Sequence, residues 1–269
     1  MEKIEHIDKL LFPIGNGATG PIQGIIKGTD YVIKTFNNIQ GNKTLVNELV
    51  CYLIAKELEF PIPNAKLGIL DSDTQINKEV LEFEDFNPDC QGICFCSEFL
   101  RPVSIVNTSK LIQASNNYRW LLPKLMLFDH LIYNKDRNMG NILISLQKSN
   151  KLLYIIDHSH TFNLESIWNS TGLYEKISSK DYLDDYIMKN NSYHYSNFKK
   201  AMTIDAISIQ ESIDYFKEKL SINFFEHVID NIPEMWENEK SELKALSDYL
   251  IYRMEHLCDF GNIITSTTY

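Results

Sequence analysis

Asn134-Lys135-Asp136-Arg137-Asn138-Met139-Gly140-Asn141 is the stretch on which the fold turns. It is rich in turn-forming residues and separates two segments of opposite character. Before it, Arg119 to Tyr133 is strongly apolar and reads as a buried helix; after it, Ile142 to Leu146 reads as a strand. A second β-run, Leu152 to Ile156, follows and ends on Asp157. A loop between a buried helix and a strand pair can hold its polar side chains in one place, as a site requires. Further on, from Asp181, helical segments are expected. Ile209, Ile213, Phe216 and Leu220 form one apolar stripe, and Leu243, Leu246, Leu250, Met254 and Leu257 form another. The polar stretch Lys189 to Asn197 reads as a loop.

Toward the N-terminus the texture changes to strands with one helix. Ile22 to Lys27 and Tyr31 to Thr35 read as a hairpin around the turn residues Gly28-Thr29-Asp30. Thr44 to Glu59 reads as a helix, with Leu45, Leu49 and Leu53 at steps of four and Pro61 and Pro63 beyond its end. Ala65 to Leu70 and Ile93 to Phe99 are strand candidates, separated by an acidic, irregular stretch from Asp71 to Gln91. A β-rich first part and a helical second part predict an α+β fold with a cleft between two lobes.

Bulk properties narrow the function. The 269 residues suit one bilobal enzyme, with 44% apolar and 23% charged residues as in ordinary soluble domains. A formal charge of −10 argues against nucleic acid or a membrane surface as the main partner. No signal-peptide run and no membrane span is expected. Five cysteines without a regular framework suggest reduced thiols in a cytoplasmic protein. Cys94 and Cys96 alternate on one strand face, where buried thiols are expected rather than a zinc site.

Four constellations fit one chemistry. Gly15-Asn16-Gly17-Ala18-Thr19-Gly20 is a G-x-G-x-x-G stretch followed by strands, not by the helix that dinucleotide binding requires. A Gly-rich loop between strands with a lysine one strand later is the protein-kinase arrangement; Lys34 stands there. Glu48, on the one clear helix of the first part, is placed to fix that lysine. Asp136, five positions ahead of Asn141, matches the catalytic loop in which the aspartate takes a hydroxyl proton and the asparagine binds metal. Asp157 sits at the mouth of a strand pair, where phosphotransferases hold a magnesium carboxylate.

Asn134-x-Asp136-Arg137-x-x-x-Asn141 followed by Ile156-Asp157-His158-x-x-x-Phe162 resembles the HipA-like serine/threonine kinase family, including its compact stand-alone branch and CtkA-like bacterial kinases. The resemblance spans about Gly15 to Phe162. It implies a bilobal protein-kinase-like fold, with a β-rich N-lobe over residues 1–100 carrying one main helix and a helical catalytic C-lobe over 101–269. It implies Asp136 as catalytic base, Asn141 and Asp157 as Mg2+ ligands, Lys34 as the phosphate lysine, and ATP as donor. Ser97-Glu98-Phe99-Leu100 would be the hinge, bonding adenine through the Glu98 carbonyl and Leu100 amide. The acceptor would be a protein Ser/Thr hydroxyl, and Thr19, the only hydroxyl in Gly15 to Gly20, a site of self-phosphorylation. The family also includes toxins paired with a DNA-binding antitoxin, so an antitoxin-type partner is a further expectation.

No His-Arg-Asp, Asp-Phe-Gly or Ala-Pro-Glu occurs, so eukaryotic-type activation is not implied. The rival readings are a small-molecule or phosphoinositide kinase, a catalytically dead nucleotide-binding module, and a metal hydrolase built on His130, His158, His160, Asp136 and Asp157.

Overall fold

In the computed structural model, which describes residues 4–15, 18–87, 89–147, 150–236 and 239–267, the chain opens with β1 (Glu5–His6) and β2 (Lys9–Pro13). β2 runs antiparallel to β3 (Ile22–Ile26), which turns into β4 (Thr29–Lys34). The turn residues Lys27 and Gly28 have φ of +50° and +78°, the paired left-handed geometry of a two-residue I′ hairpin. That turn lies one step earlier than the expected Gly28-Thr29-Asp30, and Thr29 and Asp30 already belong to the strand, with Ile26 opposite Thr29.

Helix α1 (Lys43–Glu57) follows, then β5 (Ala65–Leu70), β6 (Gln75–Ile76), α2 (Lys78–Leu81) and β7 (Gly92–Glu98). The acidic stretch expected to be irregular thus contains a short strand and a helical turn. The strands form one sheet in the order β1-β5-β7-β4-β3-β2-β6. Its two faces are read directly from β7. Cys94 and Cys96 point into a small core with Ile7, Leu10, Ile22 and Ile33, while Phe95 points to the other side and joins the core around α1, as period-2 alternation requires. Burial pushes the Cys94 thiol up to about 12 and the Cys90 thiol up to about 11, so both stay protonated near neutral pH.

The second half adds β8 (Val103–Ile105), α3 (Ser109–Gln113), α4 (Tyr118–Leu131), β9 (Ile142–Ser145) and β10 (Leu153–Ile155), the strands pairing as β10-β9-β8. Helices α5 (Ser170–Ser178), α6 (Tyr186–Asn190), α7 (Ser192–Ala201), α8 (Ala206–Lys219), α9 (Ile222–Val228), α10 (Lys240–Glu255) and α11 (Leu257–Ser266) complete the lobe. α8 starts with a capping box between Asp205 and Ser208, which satisfies two otherwise orphaned backbone donors. Its stripe Ile209, Ile213 and Phe216 is buried. Phe60, just beyond α1, reaches into this lobe and meets Phe128 and Phe216 edge-on at 5.3 and 6.2 Å. Each such ring pair contributes about 0.5–1.5 kcal/mol beyond burial, so Phe60 pins the two lobes together. Among the described residues no helix is long and apolar enough to cross a membrane.

Two expectations fail here. Lys189 to Asn197 is not a loop but the end of α6 and the start of α7. Asn191, Tyr195 and Phe198, at helical spacing, are buried; the polar look of the stretch hides an inward face whose polar atoms are bonded inside the protein. Helical structure also begins before Asp181, in α5, whose start Asn169 caps by accepting from the Gly172 amide at 2.9 Å.

Candidate active site

Lys34 ends β4 and Glu48 lies in the middle of α1, so the antiparallel sheet and the helix packed on it bring them together. Lys34 Nζ is 2.5 Å from Glu48 Oε1 and 2.7 Å from both Asp157 Oδ1 and Ser159 Oγ. Glu48 Oε1 also accepts from the His158 amide at 2.9 Å and the Ser159 hydroxyl at 2.8 Å. Burial opposes the Lys34 charge, but the Asp157 and Glu48 carboxylates outweigh it and raise its pKa. Burial likewise opposes the Asp157 charge, and the Lys34 ammonium overcomes this and holds the carboxyl well below the usual range. The result is a charged lysine clamped between two carboxylates at the back of the cleft.

Helix α1 is itself fastened to the other lobe. Asn47 Nδ2 donates to the Ser159 and Glu165 carbonyls at 2.7 and 2.8 Å, and Trp168 Nε1 donates to Asn47 Oδ1 at 2.8 Å. Lys43 pairs with Glu242 at 2.8 Å, bonds the Trp168 carbonyl, and lies 4.5 Å above the Trp168 ring.

The 134–141 loop is shaped from below by a buried ion pair. Arg137 and Asp129 are closed to solvent, with Nη2 and Oδ1 2.6 Å apart. Arg137 Nη1 holds the Asn141 and Ile156 carbonyls at 3.4 Å, tying the loop to the segment that leads from β10 to Asp157. Asp129 also accepts from Asn134 Nδ2 and the Tyr195 hydroxyl, each at 3.0 Å. Asn191 accepts from the Arg137 amide at 2.9 Å and donates to the Asn134 carbonyl at 2.8 Å. Burial, then the neighbouring Arg137, pushes His158 far down, so it is neutral and its Nε2, 3.4 Å from Arg137 Nη2, is suited to accept. Asp129, Asn191 and Ser159 were not singled out from sequence. A charged residue inside the apolar run Arg119 to Tyr133 was the available signal for Asp129, since an unpaired carboxylate there would be costly.

These elements enclose a cleft of about 530 Å3. Gly15 and Thr19 border it at one end, the hinge residues Glu98, Phe99 and Leu100 at another, and Asp136, Asn141 and Asp157 at the floor. The Leu100 amide has no partner among the described residues, whereas the Glu98 and Phe99 amides bond the Asn64 and Asp30 carbonyls at 2.7 and 2.9 Å. Between Thr19 and Pro21, which line the cleft, Gly20 has φ +58°, and a Cβ there would meet the Asp85 and Phe83 side chains at 3.3 and 3.4 Å. Gly17 and Asn16 lie outside the described residues. Thr19 is 4% exposed. His130 is remote from the cleft: its Nδ1 bonds the Met126 carbonyl at 2.8 Å and its ring faces Phe260, which removes it from the metal-hydrolase grouping.

The donor set suits a hard cation. Asn141 spends its amide group on the Asp136 carbonyl at 2.7 Å, which leaves its oxygen for another partner. Asp157 meets Lys34 and Ser159 through Oδ1, and Oδ2 makes neither bond. One carboxylate and one amide oxygen, with no soft ligand, fit magnesium better than a first-row metal.

A family model described as HipA-like kinase matches residues 7–260. Among solved structures, the Helicobacter pylori proinflammatory kinase CtkA resembles the chain with a TM-score of 0.59 at 12% identity, over 97% of this chain and 100% of that one. At that identity the likeness is one of fold, and the fold is α+β, bilobal and kinase-like. HipA of Shewanella oneidensis MR-1, solved with HipB and operator DNA, aligns at 12% identity over 91% of this chain and 62% of its own, with a TM-score of 0.41, too loose a likeness to add to the first. No curated protein sequence matches. With the family model spanning nearly its whole length, the chain belongs to the HipA-like kinase family.

Proposed function

We propose that the chain is a cytoplasmic serine/threonine protein kinase that moves the γ-phosphate of ATP to a protein hydroxyl with the help of Mg2+. The observation that carries this reading is the convergence of Lys34, Asp136, Asn141 and Asp157 on one cleft beside a free hinge amide. In this reading residues 1–100 hold the nucleotide, with adenine against the Glu98 carbonyl and Leu100 amide, and 101–269 supply the acceptor side. Lys34, kept charged by its carboxylates, binds the α- and β-phosphates, and Glu48 fixes its direction. Asn141 and Asp157 would hold magnesium, which would supply charge neutralisation at the phosphate oxygens. Asp136 accepts the acceptor hydroxyl's proton as the oxygen attacks, and positioning does the rest.

Gly15, Gly17 and Gly20 would let the loop backbone approach the phosphates. Thr19 would be the self-phosphorylated residue. Because it is buried, its modification requires the loop to leave its present position, and a phosphate of about −2 charge would keep it out. Family membership also suggests an antitoxin-type protein partner. The deciding experiment is incubation with γ-labelled ATP and magnesium, followed by mass spectrometry of the chain and of a lysate. Label on Ser or Thr of protein, absent with Lys34→Ala, is expected; ATP bound but no label transferred would indicate the dead nucleotide-binding module instead.

A further inference from the structure

Next to the nucleotide cleft lies a second and wider groove of about 940 Å3. Asp136 and His160 border both spaces, so an acceptor lying in the groove meets the reacting end of the cleft. Its walls come from the 134–141 loop, the segment after Asp157, the C-terminal end of α5 and the start of α6. Four non-glycine residues of these walls hold left-handed backbone: Tyr133 at φ +49°, Asn163 at +67°, Glu165 at +58° and Lys180 at +57°. A Cβ disfavours that conformation, and such strain gathers at functional sites.

The charges in the groove fall into two sets. Asp181 is neutralised from behind by Arg253 at 3.0 Å, and Glu165 by Lys135 at 2.8 Å. Asp184 accepts from the Tyr133 hydroxyl at 2.6 Å, and burial raises its pKa. Asp136 faces the acceptor hydroxyl in the proposed chemistry. Lys176 and Lys180, on the α5 wall, join no ion pair among the described residues. Lys180 occupies the capping position after α5, its amide bonded to the Ile177 carbonyl at 3.1 Å, where glycine or asparagine is the usual occupant. Leu183 and Tyr186, 62% and 58% exposed, leave apolar surface on the same wall.

We infer that this groove selects a protein segment carrying acidic side chains near its Ser or Thr, the carboxylates meeting Lys176 and Lys180 and an apolar side chain resting on Leu183 and Tyr186. The inference rests on the kinase reading and deepens it by naming the substrate class. An acidic protein with net charge −10 repels acidic partners at long range, so local unpaired cations are what such recognition needs.

The test uses two fluorescent peptides with the same central serine and leucine, one flanked by glutamates and one by lysines. Anisotropy on the full chain gives affinity, and γ-labelled ATP gives transfer to the same peptides. One half-buried and one exposed lysine contact correspond to roughly a two- to thirty-fold preference for the acidic peptide, shrinking at high salt. Lys176→Glu with Lys180→Glu should reverse the preference. Lys180→Gly relieves the backbone and should hold or raise the melting temperature while still lowering acidic-peptide affinity about two- to five-fold. Equal affinity for both peptides, or a preference unmoved by the double charge reversal, overturns the inference while transfer to both leaves the kinase reading standing. Tight binding of the acidic peptide with transfer to neither overturns both.

Discussion

Replacing Arg137 by Met tests the ion pair beneath the 134–141 loop as a positioning device. Arg137 and Asp129 are fully buried and 2.6 Å apart. Removing one member of such a pair leaves an uncompensated charge, typically at about 3–5 kcal/mol. Asp129 keeps its bonds from Asn134 and Tyr195. Burial already pushes its carboxyl upward, so without Arg137 it can take up a proton. Both effects place the loss near the lower figure, about 3 kcal/mol. At about 2–4 °C per kcal/mol for a chain of this size, Tm should fall by about 6–12 °C. Adding Asp129→Asn removes the stranded charge and keeps an acceptor for one of its two donors, Asn134 on Oδ1 or Tyr195 on Oδ2, so the double variant should recover roughly half of the loss. It cannot restore the bonds from Arg137 Nη1 to the Asn141 and Ile156 carbonyls, and phosphate transfer should stay low in both. Calorimetry and a transfer assay on the three proteins decide the matter. A single variant within about 2 °C of wild type, or a double variant with full activity, would refute the reasoning.

Three further outcomes are expected. Lys34→Ala should weaken ATP with or without magnesium, whereas Asp157→Asn should weaken it mainly with magnesium present; calorimetric titration separates them, and unchanged affinity in Lys34→Ala would remove the phosphate role. Asp136→Asn should spare ATP binding and lower turnover by about 10²–10⁴, so full activity with an intact circular dichroism spectrum would reduce the loop to a turn. Burial depresses His130 to about 3, His194 to about 4, and His158, also pressed by Arg137, far below its usual value. Folded values below the unfolded value of about 6.5 mean stability is intact above that pH and lost below it, as the unfolded chain takes up protons. With about 1.4 kcal/mol per pH unit for each group, the slope approaches about 4 kcal/mol per unit between pH 6 and 4. Urea midpoints that stay flat from pH 7 to 5 would contradict this.

The sequence made some parts legible because their residue types have few other uses. Asp136 and Asn141 in a polar loop, Lys34 closing a strand, and the α8 stripe all stand where the local pattern put them. The order of the sheet does not: β7 pairs with β4 and β5, and only its alternating faces were visible beforehand. The site's supporting groups were hidden for a physical reason. Asn191 and Ser159 are common polar residues whose meaning lies in partners 54 and 125 positions away. For the same reason α7 looked like a loop, since its inward face is partly polar and hydrophobic periodicity misses it. At Gly20 the pattern showed only that a glycine was wanted; its φ of +58° and the Phe83 and Asp85 side chains beside it are contacts that no local motif reveals.

The fastening of α1 has a consequence for control. Kinases that are switched by swinging this helix keep its glutamate in an equilibrium between two places, and a modification tips the balance. Here Asn47 and Lys43 hold the helix through Trp168, Glu242 and two carbonyls. Five such bonds, with that of Lys43 to the Trp168 carbonyl, at about 0.5–1.5 kcal/mol each leave the swung-out state at about one per cent down to well under a hundredth of a per cent. The enzyme would emerge from folding already armed. Restraint must then be exerted on what reaches the cleft, through the glycine loop over its mouth or a protein lying across it, and not on the helix that completes it.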